Sequence, residues 1–288
     1  MLGGEPEPVV RPSHMHDGLA VYAFGSGEPA LLMPYPHGAT VVGGRTLTEL
    51  VEGLETLGRR VATFDPPGSG RSTRTMRLGM SEILGCAEEA LEVCGLGGGP
   101  VDVMGHSQGG FAALAFAIEF PERVRRLVLV GAGAGGPSWM RAPGAIWNRS
   151  HPDYWRFGLI SSLYFFSRRL AVQKMMFNLI FRDSYVDQER FVPDQVSLLD
   201  WLRSAHPRTR WALVARRLDY SPRLGEVRAP TLVLVGQHDP QMPLSCSEEL
   251  ARGIPEARLV VFEKSGHYPF TEEPKEFWAT VRNYFGAP

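Results

Sequence analysis

Val101-Asp102-Val103-Met104-Gly105-His106-Ser107-Gln108-Gly109-Gly110 passes from a short apolar run, through small residues, into the apolar stretch from Phe111 to Phe120. A short apolar run bounded by glycine reads as a buried strand, and the longer stretch after it as a helix that stops before Pro121. The chain must therefore turn sharply at Gly105–Gly109, which spells G-x-S-x-G in a strand–turn–helix frame. Glycine on either side of the serine lets two backbones approach where a Cβ would clash. The turn lifts the Ser107 hydroxyl above the strand end. The amide of Gln108 falls at a helix start, where N–H groups lack intrahelical partners and can face an oxyanion.

Working outward, the same alternation recurs. Leu19–Phe24, Ala30–Met33, Arg60–Phe64 and Leu127–Val130 are strand-like. Arg45–Leu57 places Leu47, Leu50, Val51, Leu54 and Leu57 on one helical face, and Ser81–Cys94 is a second helix. After Gly131–Gly136 the character changes, and residues 137–222 hold few strand-like runs. Alternation then resumes with a strand at Thr231–Val235, a helix at Leu244–Gly253, a strand at Leu259–Phe262 and a helix at Pro274–Phe285. This predicts an α/β fold with a mainly parallel sheet, helices on both faces. Residues 1–136 and 223–288 form the core, and 137–222 an inserted, mostly helical cap or lid.

Composition narrows the function. The chain has 288 residues, 44% of them hydrophobic, and a net charge of −1, which suits a globular protein and argues against a nucleic-acid binder. No stretch approaches the ~20 apolar residues of a membrane span, and no signal peptide is visible. Cys86 and Cys94 lie about 12 Å apart along a helix, too far for a bridge, so the three cysteines read as reduced thiols of a cytoplasmic protein. Near-neutrality hides a division. Residues 137–222 carry thirteen Lys+Arg against seven Asp+Glu, a net +6, which leaves −7 for the rest, and they hold 15 of the 29 aromatic residues.

A serine hydroxyl needs a base oriented by a third group. His267 lies in Ser265-Gly266-His267-Tyr268-Pro269, just after the last strand, and Asp239 in Gly236-Gln237-His238-Asp239-Pro240, after Thr231–Val235. Loops at strand C-termini are where ligand sites gather in such sheets. The loop after Leu127–Val130 holds no carboxylate, which leaves Asp239 as the acid. His238 has no acid placed to orient it, and Asp102, inside a strand, reads as structural.

Together with the Gly105–Gly109 turn, the loop Asp65-Pro66-Pro67-Gly68-Ser69-Gly70-Arg71-Ser72, the run Phe120–Leu129 and the segment Ser265–Pro274 make the chain resemble a serine hydrolase of the α/β-hydrolase superfamily. The resemblance covers nearly the whole chain. It implies an eight-stranded, mostly parallel sheet with a lid after the sixth strand, Ser107, Asp239 and His267 as catalytic residues, and no metal or cofactor. Many relatives have His-Gly-x-Pro after the third strand to supply a second oxyanion N–H. Here the slot reads Pro34-Tyr35-Pro36-His37-Gly38; proline has no N–H, so either Tyr35 or His37 joins Gln108 as donor, or the register sets His37-Gly38 on the family's His-Gly pair.

The aromatic insert suggests a pocket for a bulky apolar group, with His106, Trp139, Trp147, Tyr154, Trp155 and Phe165 as lining candidates. The expected activity is hydrolysis of a hydrophobic carboxylic ester or lactone, macrocyclic ones included, through an acyl-serine, by a monomer or homodimer. Prolyl aminopeptidases are more distantly similar, but the basic insert and Gln108 after the serine depart from them. Carbon–carbon bond hydrolases and cofactor-free haloperoxidases use the same three residues. A ligand receptor on this fold is the non-enzymatic alternative.

Overall fold

A computed structural model describes residues 11–36, 45–75, 79–167, 169–181, 184–187, 215 and 217–286. Its strands are β1 (His14–His16), β2 (Leu19–Phe24), β3 (Glu28–Met33), β4 (Arg59–Phe64), β5 (Val101–His106), β6 (Val124–Val130), β7 (Thr231–Gly236) and β8 (Ala257–Phe262). They form one sheet in the order β1-β2-β4-β3-β5-β6-β7-β8. β1 and β2, and β2 and β4, pair antiparallel; every other neighbouring pair is parallel. The expected eight-stranded, mostly parallel sheet is present.

Side-chain alternation along each parallel strand divides the core into two layers. Leu31, Met33, Val101, Val103, Leu127, Leu129 and Val233 face one layer. It is covered by α2 (Met80–Val93), α3 (Gln108–Glu119) and α7 (Leu244–Gly253). Ala30, Leu32, Met104, Val128, Val130, Leu232 and Leu234 face the other, against α1 (Arg45–Thr56) and α9 (Pro274–Phe285). Each buried aliphatic side chain contributes roughly 1.5–3 kcal/mol, so the alternation fixes strand register strongly. β5, β7 and the end of β6 are buried throughout, which explains their uninterrupted apolar runs.

Between β6 and β7 the chain leaves the sheet and builds α4 (Gly136–Arg141), α5 (Tyr154–Phe166) and α6 (Leu170–Phe181). Exit and return are stitched together. Gly135 and Asp219 form an antiparallel bridge, Gly136 N–H donates to the Leu218 carbonyl at 2.9 Å, and Tyr220 N–H to Ala134 at 2.8 Å. The three cysteines are free and buried, and burial pushes the Cys246 thiol up to about 12. Among the described residues no helix is long and apolar enough to cross a membrane.

Because β3 to β8 run parallel, the loops after β3, β5, β6, β7 and β8 collect along one edge of the sheet. One of them holds α8 (Pro269–Glu272). This edge is where the sequence-named residues meet.

Candidate active site

Ser107 follows β5 directly and adopts φ 53°, ψ −122°, a strained setting for a residue with a side chain. The turn is held from both sides: Ser107 N–H donates to Val130 O at 2.8 Å, and Ser107 O accepts Phe111 N–H at 3.0 Å, opening α3. The flanking glycines are required by contact. A Cβ on Gly105 would collide with the Gly109 carbonyl, and one on Gly109 would sit 2.6 Å from Met33 O and 3.2 Å from Pro34 O. The second contact sets the exit of β3, and with it the Pro34–Tyr35 backbone, beside the serine turn.

Asp239 and His267 form the adjoining pair. Asp239 Oδ1 accepts the backbone N–H groups of Gln241 and Met242 at 2.8 and 2.9 Å. Its Oδ2 accepts His267 Nδ1–H at 2.6 Å. Both side chains are buried, so the bond acts at low dielectric, and the other ring nitrogen, Nε2, is left as the one to take a proton. Gly131, one residue past the carbonyl that anchors Ser107, packs against this pair; a Cβ there would stand 3.2 Å from both Asp239 Oδ2 and His267 Nδ1. Asp239 and His267 are thus paired, and the Ser107 turn is tied by its backbone to Val130, next to the Gly131 that packs on them, all on loops of the same sheet edge. His238 is exposed, in contrast to the buried Asp239 beside it.

His106, expected to line the pocket, instead is a buried strut. Its Nε2 lies 2.8 Å from the His267 carbonyl, which can only accept, so Nε2 carries the hydrogen. Nδ1 then accepts from the Tyr35 hydroxyl at 2.5 Å. Both ring nitrogens are spent on protein partners, and no polar atom remains for substrate. Burial, with the neighbouring His267 ring 4.5 Å away between centroids, holds the imidazole well below its ordinary value and neutral. The sequence signal was the variable position of G-x-S-x-G, which carries no hint of this role.

The insert aromatics divide. Trp139 packs on Trp147 at 5.6 Å and accepts its indole N–H at 2.9 Å through the backbone carbonyl, and both pack against the cluster of Ala142, Ala145 and, from α7, Cys246. Trp139 also lines a small apolar cavity with Phe111, Ala215 and Met242. Tyr154 is half-buried with its ring edge-on to Trp155. Trp155 corrects the expectation: it is 77% exposed, because α5 turns Phe157, Ile160 and Tyr164 inward and Trp155, Leu159, Leu163 and Phe166 outward. His37 and the Phe165 side chain lie outside the described residues.

A family model described as "Alpha/beta hydrolase family" matches residues 36–280. The chain belongs to the alpha/beta hydrolase family. This alpha/beta hydrolase is 32% identical over 282 residues to a 2-hydroxy-6-oxononadienedioate/2-hydroxy-6-oxononatrienedioate hydrolase of Cupriavidus pinatubonensis, covering 91% of this chain and 88% of the relative. A hydrolase of the same name from Dechloromonas aromatica is 31% identical over 267 residues, covering 90% and 88%. Among solved structures, an alpha/beta fold family hydrolase from Bacillus anthracis superposes with a TM-score of 0.73 at 23% identity, covering 92% of this chain and 94% of that one.

Proposed function

We propose that this hydrolase cleaves the carbon–carbon bond beside a ketone in a 2-hydroxy-6-oxodienoic acid, with Ser107 as nucleophile, His267 as general base and acid, and Asp239 orienting it. The observation that carries this reading is the similarity, at 32% identity over 91% of this chain, to a hydrolase whose named substrate holds only hydroxyl, ketone, alkene and carboxylate groups. Such a molecule has no ester or amide to hydrolyse; adding water to it with cleavage must break a carbon–carbon bond. The basic insert, with a net +6, suits an anionic substrate of this kind.

The proposed reaction proceeds in two halves. In the dienol, the hydroxyl proton moves to the carbon next to the ketone, giving a diketone in which that bond can break. Ser107 Oγ adds to the ketone carbon while its proton passes to His267 Nε2, and the amides of Gln108 and Tyr35 hold the oxyanion. Collapse breaks the bond and sends its electron pair along the alkene into the distant carbonyl, so the leaving group departs as a dienolate rather than a bare carbanion. His267 returns its proton to that fragment. Water, deprotonated by the same imidazole, then splits the acyl-serine into a carboxylic acid and free Ser107. The products together equal substrate plus one water.

Hydrolysis of a hydrophobic ester or lactone would use the same residues and is the competing reading. It is separated by kinetics on a 2-hydroxy-6-oxodienoate, followed by loss of its conjugated-dienolate absorbance, beside p-nitrophenyl butyrate. The dienoate is expected to have a kcat/KM at least about 100-fold higher; the reverse ratio would overturn the assignment. Ser107→Ala should remove turnover of both, by roughly a million-fold, with an unchanged melting temperature.

A further inference from the structure

The catalytic-histidine loop is fastened to more than the sheet. Four insert residues, 184–187, run alongside it. His267 N–H donates to the Ser184 carbonyl at 2.7 Å. Ser184 Oγ accepts from the Gln241 side chain at 2.7 Å, and the Gln241 N–H is one of the two amides that hold Asp239. Tyr185 stacks on Tyr268 with centroids 4.7 Å apart and planes 19° from parallel. The approach is close enough that a Cβ on Gly266 would collide with the Ser184 carbonyl.

Glu272, at the end of α8, spans this contact. One carboxylate oxygen accepts Gly266 N–H, immediately before His267, at 2.6 Å. The other accepts the N–H groups of Val186 and Asp187 at 2.8 and 3.2 Å. Bonds from amides to a carboxylate are stronger than neutral ones, and a two-oxygen acceptor fixes both backbones relative to each other. Its neighbour Glu273 makes a useful contrast, accepting from Lys264 N–H and the Ser265 hydroxyl at 3.0 and 2.6 Å, both within the loop itself.

We propose that Glu272 is a positioning residue whose carboxylate clips the 184–187 segment of the insert to the backbone ahead of His267, so that the imidazole keeps its reactive setting only while that segment is seated. Its effect on catalysis passes through His267 and the chain entering it. The proposal rests on His267 as the base but not on the carbon–carbon assignment. It also means that movement of the insert is felt at the base.

The test follows Ser107 phosphonylation by a fluorophosphonate, which needs the serine and its base but no particular substrate, together with amide hydrogen exchange. Glu272→Ala is expected to slow phosphonylation about 10- to 100-fold, the scale of a small misplacement of a reacting group. Exchange at His267, Val186 and Asp187 should quicken at least about 10-fold, as local opening becomes easier. Glu273→Ala should leave exchange at Val186 and Asp187 at the wild-type rate. Should alanine at 272 fail to fold, Glu272→Gln decides by the same two readouts, since it keeps the size and one acceptor oxygen but turns an amide donor toward an N–H. Slower phosphonylation with unchanged exchange at 186–187, or faster exchange with unchanged phosphonylation, overturns the clip. Loss of labelling in Ser107→Ala, measured alongside, keeps failure of the clip distinct from failure of the serine mechanism.

Discussion

Asp102 and Asp239 stand at opposite ends of the same sheet, both buried, and each is the hub of a polar cluster. Asp102 receives the Arg125 guanidinium in a two-pronged bond at 2.9 and 2.9 Å. Arg59 Nε approaches at 3.1 Å as a charge contact without hydrogen-bond alignment, and Arg126 lies 3.7 Å away. Arg125 continues to Glu28, and Arg59 lies over the Phe285 ring at 4.6 Å. Asp239 instead receives two backbone amides and one imidazole. The first carboxylate faces permanent cations and can do nothing but hold them. The second receives neutral amide dipoles and a single imidazole N–H, so in the proposed reaction its field is the one that meets an imidazolium. β5 joins the two regimes, with the inert acid near its start and Ser107 just past its end.

Substitutions that leave shape intact should separate the two. Asp239→Asn is expected to lower kcat by about 1,000- to 10,000-fold, because the amide no longer enforces the Nδ1–H form of His267. Thermal unfolding should change little. If stability fell sharply while rate survived, the contrast drawn between the two acids would be wrong. Asp102→Asn should do the opposite, leaving Arg59 and part of Arg125 buried beside a neutral group at a cost of about 3–5 kcal/mol. Its kcat should stay within about 2-fold of wild type, read by denaturant titration beside steady-state rates.

The smallest expected effect concerns His106 and sharpens the picture of the reactive end. The folded protein keeps this ring neutral, whereas the unfolded chain takes up a proton near its ordinary pKa of 6.5. Below that pH the unfolded state therefore binds more protons, and stability falls as pH drops, by up to about 1.4 kcal/mol per pH unit for one group. His106→Gln keeps a donor toward the His267 carbonyl but cannot titrate. Its melting temperature should fall less steeply between pH 6.5 and 5 than that of the parent; parallel curves would mean that His106 is not held neutral by the fold.

Much of this molecule is written in local pattern. The buried strands announce themselves because both faces meet helices, and Ser107, Asp239 and His267 are conspicuous because each follows such a run. The rest depends on partners distant in sequence. β1 is three exposed residues with no apolar signal, and nothing in periodicity places β4 between β2 and β3. The role of His106 depends on Tyr35 and on the His267 carbonyl, neither of which a motif encodes. Trp155 misled because an aromatic count does not say which side of α5 faces inward. The ester reading rested on residues that equally serve carbon–carbon cleavage.

The stitched stem of the insert has a consequence for how such a molecule diversifies. Gly135 and Asp219 pair, and the amides of Gly136 and Tyr220 cross between the two arms, so the excursion leaves and re-enters the sheet at one point. A replacement cassette needs to satisfy that junction, the seat along 184–187 and the packing of Trp139 and Trp147 beside α7 to leave the sheet edge undisturbed. Recombination between relatives, in nature or in a library, has its natural crossover points there, and chimaeras joined at Gly135 and Asp219 should exchange substrate preference while inheriting the parent's nucleophile.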